Sequence, residues 1–194
     1  LSLYQLTIEN GTVFGARAAA GLLRGLPDDD LGADMYLMTQ DLCGTAGFDG
    51  YEVSNHARQG SESVHNRIYW QSGDYVGVGP GAQGRLTLHG KRWATTTPLA
   101  PMLWLDQVER ASSGELPREI VVPDDHRTEV LLMGMRLREG LEKGRLRRIG
   151  YDVETDAIRD LVDMGLIADD RERLRTTATG RPVLNGVLRD LLAD

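Results

Sequence analysis

The sequence predicts an α/β protein that ends in a helical, winged-helix-like part. Three observations carry this. A strand, loop, helix, strand order runs from Leu1 to Asn55, as a parallel βαβ unit would produce. A glycine-centred hairpin pattern spans Arg85–Thr96. After residue 117, helical patterns are followed by a second hairpin pattern and a last helix, which is the outline of a winged helix.

The elements follow in order. Leu1–Ile8 is apolar and β-prone, so a buried strand is expected, ending at the turn signal Asn10-Gly11. Val13–Gly25 mixes alanines with glycines and reads as a long ordered loop with a short helix. Asp28–Asp30 open a helix, because acidic residues suit the positive end of its dipole. Leu31, Met35, Met38, Leu42 and Ala46 give it an apolar stripe, and Gly47 ends it. Cys43 lies near that stripe as a buried, inert thiol. Tyr51–Asn55 reads as a short strand and 56–64 as a polar loop. Tyr75–Gly79 is another strand, followed by the hairpin with Gly90 in its turn. Pro98 is placed as a first-turn proline of a helix with Leu99, Met102, Leu103, Leu105 and Val108 on its apolar face. Leu116–Asp125, with Pro117 and Pro123, reads as a linker. The expected domains are therefore 1–117 and 118–194. Beyond it, Asp124 or Asp125 caps a helix running to Gly140, and Leu141–Gly150 is a turn with a short element. Thr155 caps a helix that stops at Gly165. A hairpin over 166–177 leads to a final helix carrying Val183, Leu184, Val187, Leu188, Leu191 and Leu192.

Composition bounds the chemistry. The 194 residues are 41% apolar, enough for a sizeable core. No apolar run reaches the length of a membrane span. Cys43 is the single cysteine, so no intrachain disulfide forms and a cytosolic setting is favoured. One thiolate also cannot hold an iron–sulfur cluster. Net charge is −7. Residues 1–117 hold 8 Lys and Arg against 13 Asp and Glu, and residues 118–194 hold 14 against 16, so neither part has the basic footprint of a nucleic-acid binder. The local cluster Lys143–Arg148 reads as a solvated turn or an interdomain contact. The chain opens at Leu1 without methionine, directly in a strand-like pattern, so it is expected to be a piece of a longer protein.

Two stretches concentrate chemistry. His65-Asn66-Arg67-Ile68-Tyr69-Trp70 offers an imidazole, a carboxamide, a phenol and an indole within six residues. His65 could bind a haem iron axially, Tyr69 could do so as a phenolate, and Tyr69 and Trp70 could stack on a flat macrocycle. Asn66 could fix the imidazole from outside the iron's ligand set. The plainer alternative is a loop histidine bonded to backbone with Tyr69 and Trp70 in a core, and spacing alone favours it. Gly77–Gly84 brings backbone close to a ligand or to another strand. No G-x-G-x-x-G opens a helix here, as a dinucleotide site requires, and Pro80 spoils the pattern. Glu52 is a lone carboxylate. His56, His89 and His126 are expected on the surface. Ser54 has no paired base, and no H-E-x-x-H metal spacing occurs.

A set of segments resembles a known family. Leu3-Tyr4-Gln5-Leu6-Thr7-Ile8-Glu9-Asn10-Gly11-Thr12, Tyr51–Ala57, His65-Asn66-x-x-Tyr69-Trp70, Asp74-Tyr75-Val76-Gly77-Val78-Gly79-x-Gly81-Ala82 and Thr177-Ala178-Thr179-Gly180 match, in order and spacing, the oxygen-independent coproporphyrinogen III oxidase-like radical SAM proteins. The His-Asn-x-x-Tyr segment resembles the haem chaperone (HemW-like) branch. The resemblance implies the C-terminal part of a partial (β/α)6 radical SAM barrel, followed by a HemN-type domain. It implies a protein that binds haem and delivers it to haem-requiring proteins, with S-adenosylmethionine and a 4Fe–4S cluster as cofactors of the full-length parent. His65, Asn66 and Tyr69 become the haem-site residues, with His65 toward the iron. Tyr4, Thr7 and Gln83 would line the S-adenosylmethionine pocket. Membrane-associated respiratory enzymes and a second copy of the chain are the partners compatible with it. The alternatives are an oxidase making protoporphyrinogen IX from coproporphyrinogen III, and a structural or interaction domain without ligand, which would bury His65 and Tyr69. Three departures stand out. The C-x-x-x-C-x-x-C cluster motif is absent, Gln83 stands where such proteins often have histidine, and only the last barrel strand and helix would be here. The edge of Leu1–Ile8 would then lack a partner.

Overall fold

The computed structural model describes residues 1–193. It divides into two units, Leu1–Glu62 and the chain from Ser63 onward.

The first unit is built on two helices. Helix α1 (Val13–Ala19) is capped by the Thr12 hydroxyl, which accepts from Gly15 N at 3.0 Å. Helix α2 (Asp29–Thr45) starts where the acidic run places it, with the Asp28 carboxylate accepting from Leu31 N at 2.9 Å. Cys43 is buried on it. Strands β1 (Asp49–Gly50) and β2 (His56–Ala57) pair antiparallel.

Several expectations fail in this unit. Leu1–Ile8 is not a buried strand. Only Leu1–Leu3 pairs, antiparallel to Ser54–His56 through a bridge at Ser2 and Asn55, while Tyr4 and Leu6 stay exposed. A strand needs a partner along its whole edge, and the described residues supply one for three residues. The parallel βαβ pairing is therefore not made, and every strand pair among the described residues is antiparallel. Tyr51–Asn55 bends rather than extends, because the Glu52 carboxylate accepts from Ser54 N at 2.7 Å and from Asn55 Nδ2 at 2.6 Å. His56, expected on the surface, is buried, with Nε2 3.1 Å from Gln40 Oε1.

The second unit begins with helix α3 (Val64–Trp70). Strands β3 (Gln83–Leu88) and β4 (Lys91–Thr96) form the expected hairpin. Its two turn residues, His89 at φ 50° and Gly90 at φ 73°, both lie in the left-handed region, as a tight type I′ turn requires. Strand β5 (Glu119–Ile120) adds a third strand against Trp93 and Ala94. It falls inside the stretch expected as linker. Helix α4 (Pro101–Ala111) starts at Pro101 and not at Pro98, with Pro101 at the first helical position. Pro98 instead offers its carbonyl to Gly81 N at 2.8 Å. Helix α5 (Pro123–Gly134) likewise begins at its proline, so Asp124 and Asp125 sit in the first turn rather than at the cap.

The remaining elements are strand β6 (Leu141–Glu142), helices α6 (Lys143–Arg148) and α7 (Asp156–Asp163), strands β7 (Ile167–Asp169) and β8 (Arg173–Thr176), a 3-10 turn over Arg181–Val183, and helix α8 (Leu184–Leu191). The sheet order is β6-β8-β7. Helix, strand, two helices and a two-stranded wing is the winged-helix arrangement. Thr155 caps α7 as expected. The core lies here: Val130, Leu131, Met135, Leu146, Ile158, Leu161, Ile167, Leu174, Val187 and Leu191 are all buried. Each such side chain contributes about 1.5–3 kcal/mol of burial energy. Tyr151 Oη donates to Leu191 O at 2.9 Å and fastens α8 to the turn after α6.

Candidate functional site

The histidine segment forms a helix. Ser63 provides the cap, its hydroxyl accepting from Asn66 N at 3.2 Å. On a helix, positions four apart lie on one face. His65 and Tyr69 therefore meet, ring centroids 4.6 Å apart and edge to face at 87°. Tyr75, just past the helix, continues the row, 4.3 Å from Tyr69 at 71°. His65 is exposed, Tyr69 is half-buried and Asn66 is half-buried. Three rings thus form a ladder whose outer rung is a solvent-facing imidazole.

Trp70 is turned to another use. The Arg136 guanidinium lies over its ring, 4.6 Å from the centroid, a favourable cation–π contact. Arg67 Nη2 meets Glu139 Oε1 at 2.6 Å, with both side chains partly shielded. Arg145 Nη1 donates to Gln71 O at 2.7 Å. These contacts dock the far face of α3 on the α5–β6–α6 corner and leave the His65 face outward. The Lys143–Arg148 cluster therefore divides: Arg145 reaches the end of α3, Lys143 pairs with Asp169 at 2.5 Å, and Arg147 pairs weakly with Glu154 at 3.4 Å.

The glycine stretch packs strand on strand. A Cβ on Gly77 would sit 2.5 Å from Gln83 O, and one on Gly84 would sit 2.4 Å from Thr95 Oγ1. Thr97 ties the turn, accepting from Ala82 N at 2.8 Å and donating to Gly79 O at 2.7 Å. A cleft of about 160 Å³ beside it is lined by Val78, Thr97, Trp104 and Glu115 among others. Of the residues assigned to S-adenosylmethionine, Tyr4 and Thr7 are exposed in the first unit, and Gln83 is exposed at the start of β3 in the second.

Electrostatics concentrate after α3. Burial opposes the charge on Asp74, but bonds from the Thr87 amide and hydroxyl, together with Arg92, hold its carboxyl below the usual range. His126, expected exposed, is half-buried. Burial first, then Arg92 and Arg145, push its pKa down. Arg85 is held by Glu129 at 2.7 Å, which raises its already high pKa. Tyr75, Arg92, Arg136 and Arg145 were not singled out from sequence. Tyr75 lies in the Asp74-Tyr75 segment and Arg145 in the basic cluster, so a signal existed for these two. For Arg92 and Arg136 none did.

Comparison with known proteins then fixes the family. Residues 121–183 match the HemN C-terminal domain. A murine "Radical S-adenosyl methionine domain-containing protein 1, mitochondrial" is 37% identical over 99% of this chain and 46% of its own length. "Heme chaperone HemW" is 32% identical in Lactococcus lactis, over 100% of this chain and 50% of the relative. In Mycobacterium tuberculosis it is 35% identical, over 99% and 47%. This chain belongs to the HemN/HemW-like radical SAM family. It spans about half the length of the curated relatives it matches. The radical SAM coproporphyrinogen III oxidase HemN of Escherichia coli has the same fold, with a TM-score of 0.62 over 90% of this chain and 44% of that one. Its identity is 16%, so this likeness speaks for the family fold alone. The family's α/β class agrees with the mixed helices and strands described above.

Proposed function

We propose that the chain carries the haem-docking segment of a haem chaperone, and that the whole protein delivers haem to haem-requiring acceptor proteins. The observation that supports this most is the ladder on α3: an exposed imidazole, braced edge-on by Tyr69, with its helix docked from behind. The ligand-free alternative asks for His65 and Tyr69 both buried, and His65 is exposed. Relatives named as haem chaperones point the same way.

In this reading haem is the cargo. His65 offers a ring nitrogen to the iron, Tyr69 holds the ring's angle and offers an aromatic edge to the macrocycle, and Asn66 completes the motif. The donors fit the group, because an exposed imidazole on a docked helix is a competent iron ligand. S-adenosylmethionine and a 4Fe–4S cluster belong to the full-length protein. Acceptors include respiratory enzymes at the membrane, a homodimer is compatible, and the setting is cytoplasmic. Nucleic acid is left out: α7, where a winged helix would read DNA, carries Asp156, Asp160 and Asp163 against Arg159, the wrong sign for phosphate. The oxidase reading has only the shared fold behind it.

The test is a haem titration followed by the Soret band, with His65→Ala beside the wild type. Saturable binding that weakens in the variant is expected. Equal binding by both proteins would remove His65 as the ligand. A cluster bound to this chain alone would contradict the assignment of radical chemistry to the longer protein.

A further inference from the structure

The turn that ends α3 is built in an unusual way. Ser72 N donates to Tyr69 O at 2.8 Å and Gly73 N to Ile68 O at 2.8 Å, a Schellman closure. Its left-handed position, normally glycine, is Ser72 at φ 50°. A side chain kept at a strained position has to be used or tolerated. The Ser72 hydroxyl is buried and has no hydrogen-bond partner among the described residues, and the same holds for the Trp70 indole Nε1. Arg92 grips the turn from β4, with Nη2 donating to Gly73 O at 3.2 Å and Nη1 meeting Asp74 at 3.2 Å. Its side chain is only 8% exposed, and its Nε–H also lacks a partner. Arg145 holds the turn from α6 through Gln71 O.

Two of the three unpartnered groups, the indole and guanidinium N–H, can only donate, and the hydroxyl can donate as well. Beside Arg92, the guanidinium of Arg145 holds the turn and that of Arg136 lies over Trp70. An acceptor-rich group would satisfy all three unpartnered groups, and the guanidinium charges of Arg92 and Arg145 favour one that is negatively charged. A cleft of about 300 Å³ opens beside Trp70, Gln71 and Arg145. The carboxylates on its rim are already taken, Glu139 by Arg67 at 2.6 Å and Glu142 by Arg173 at 3.2 Å. Burial and the Arg92 charge both weigh on the Arg145 guanidinium, and an anion here would relieve them.

We propose that Trp70, Ser72, Arg92 and Arg145 form a carboxylate-binding site at the C-terminal end of α3. The carboxylate comes either from a porphyrin side chain, which rests on the haem reading above, or from a free organic acid. The experiment has two arms. In the first, the chain is titrated with haem and with its dimethyl ester, whose carboxyl groups carry no charge. In the second, it is titrated with malonate, read by thermal shift and by the NMR titration of His126, whose pKa rises when an anion sits near it. Both arms are repeated on Arg145→Gln and Ser72→Gly. Glycine suits the backbone at residue 72, so that variant folds at least as well. A preference for haem over its ester, reduced about tenfold in each variant, assigns the site to the porphyrin. Saturable malonate binding lost in both variants, without that preference, assigns it to a free acid. If haem does not bind at all, the malonate arm still decides. No ester discrimination together with no malonate binding overturns the site. Binding unchanged in Ser72→Gly and Arg145→Gln overturns it as well.

Discussion

The C-terminal winged-helix part and the N-terminal unit both place apolar residues at helical spacing, and those residues meet opposite fates. In the former, Leu131, Leu146, Ile158, Leu161 and Leu174 are at most 2% exposed. In the latter, Leu31, Met35, Met38 and Leu42 lie at helical spacing on α2, and each is more than half exposed. Helix α4 repeats the second case, with Met102 and Leu103 in the open. An apolar stripe therefore states which face seeks cover. It does not state whether the described residues supply that cover.

Truncation gives the sharpest contrast. Leu174→Ala should cost about 2–5 kcal/mol, because the wing closes on that side chain and cannot collapse into the gap. Met35→Ala should change stability by no more than about 0.5 kcal/mol. Urea unfolding of both variants checks the pair, and equal losses would break the comparison.

A smaller effect tests the close strand approach. Gly77→Ala places a Cβ 2.5 Å from Gln83 O, and all its nearest neighbours are backbone. A loss of about 1–3 kcal/mol is expected, as for overpacking elsewhere. Thermal unfolding would register it, and an unchanged midpoint would mean the glycine stretch is slack.

The helix caps should differ less than the cores. Thr155→Ala on α7 and Asp28→Ala on α2 should each cost about 1 kcal/mol, since each removes one acceptor from an exposed helix start. Amide exchange at Ile158 and Leu31 reports them separately. A large effect at Asp28 alone would show that the first unit depends on its helix more than on its core.

The smallest effect is with pH. His126 is depressed in the fold, so the unfolded chain takes up its proton first as pH falls. Stability should therefore be full above about pH 6.5, the ordinary histidine value, and decline below it until the folded group also protonates. Urea midpoints from pH 8 to pH 5 should show the decline, and His126→Gln should flatten it.

Local chemistry made much of this legible. Asp28, Thr155, Gly90 and Gly165 fixed helix starts, a hairpin and a helix stop, because a cap or a left-handed residue acts within three or four positions of itself. The same logic misplaced two helix starts: Pro98 and Pro101 both stood near that of α4, and at α5 the acidic pair Asp124 and Asp125 was read as the cap where the fold begins the helix at Pro123. His56 was misjudged because its partner, Gln40, is sixteen residues away. Leu1–Ile8 was misjudged because a β-prone pattern cannot provide its own neighbour.

The site divides along the same line. Sequence alone singled out His65 and Tyr69 in one short segment, and that segment's likeness to haem chaperones pointed to its chemistry; the tertiary structure showed that the segment is a helix, which puts the two rings on one face. The tertiary structure decided that Trp70 faces Arg136 and not the ladder. It also decided that Tyr75 extends the ladder, and that Arg92 and Arg145 both reach the turn after α3, at Gly73–Asp74 and at Gln71. The reason is range. Helix periodicity and capping act over one turn of chain, whereas a charge brought from β4 or α6 to the end of α3 depends on how the whole second unit packs.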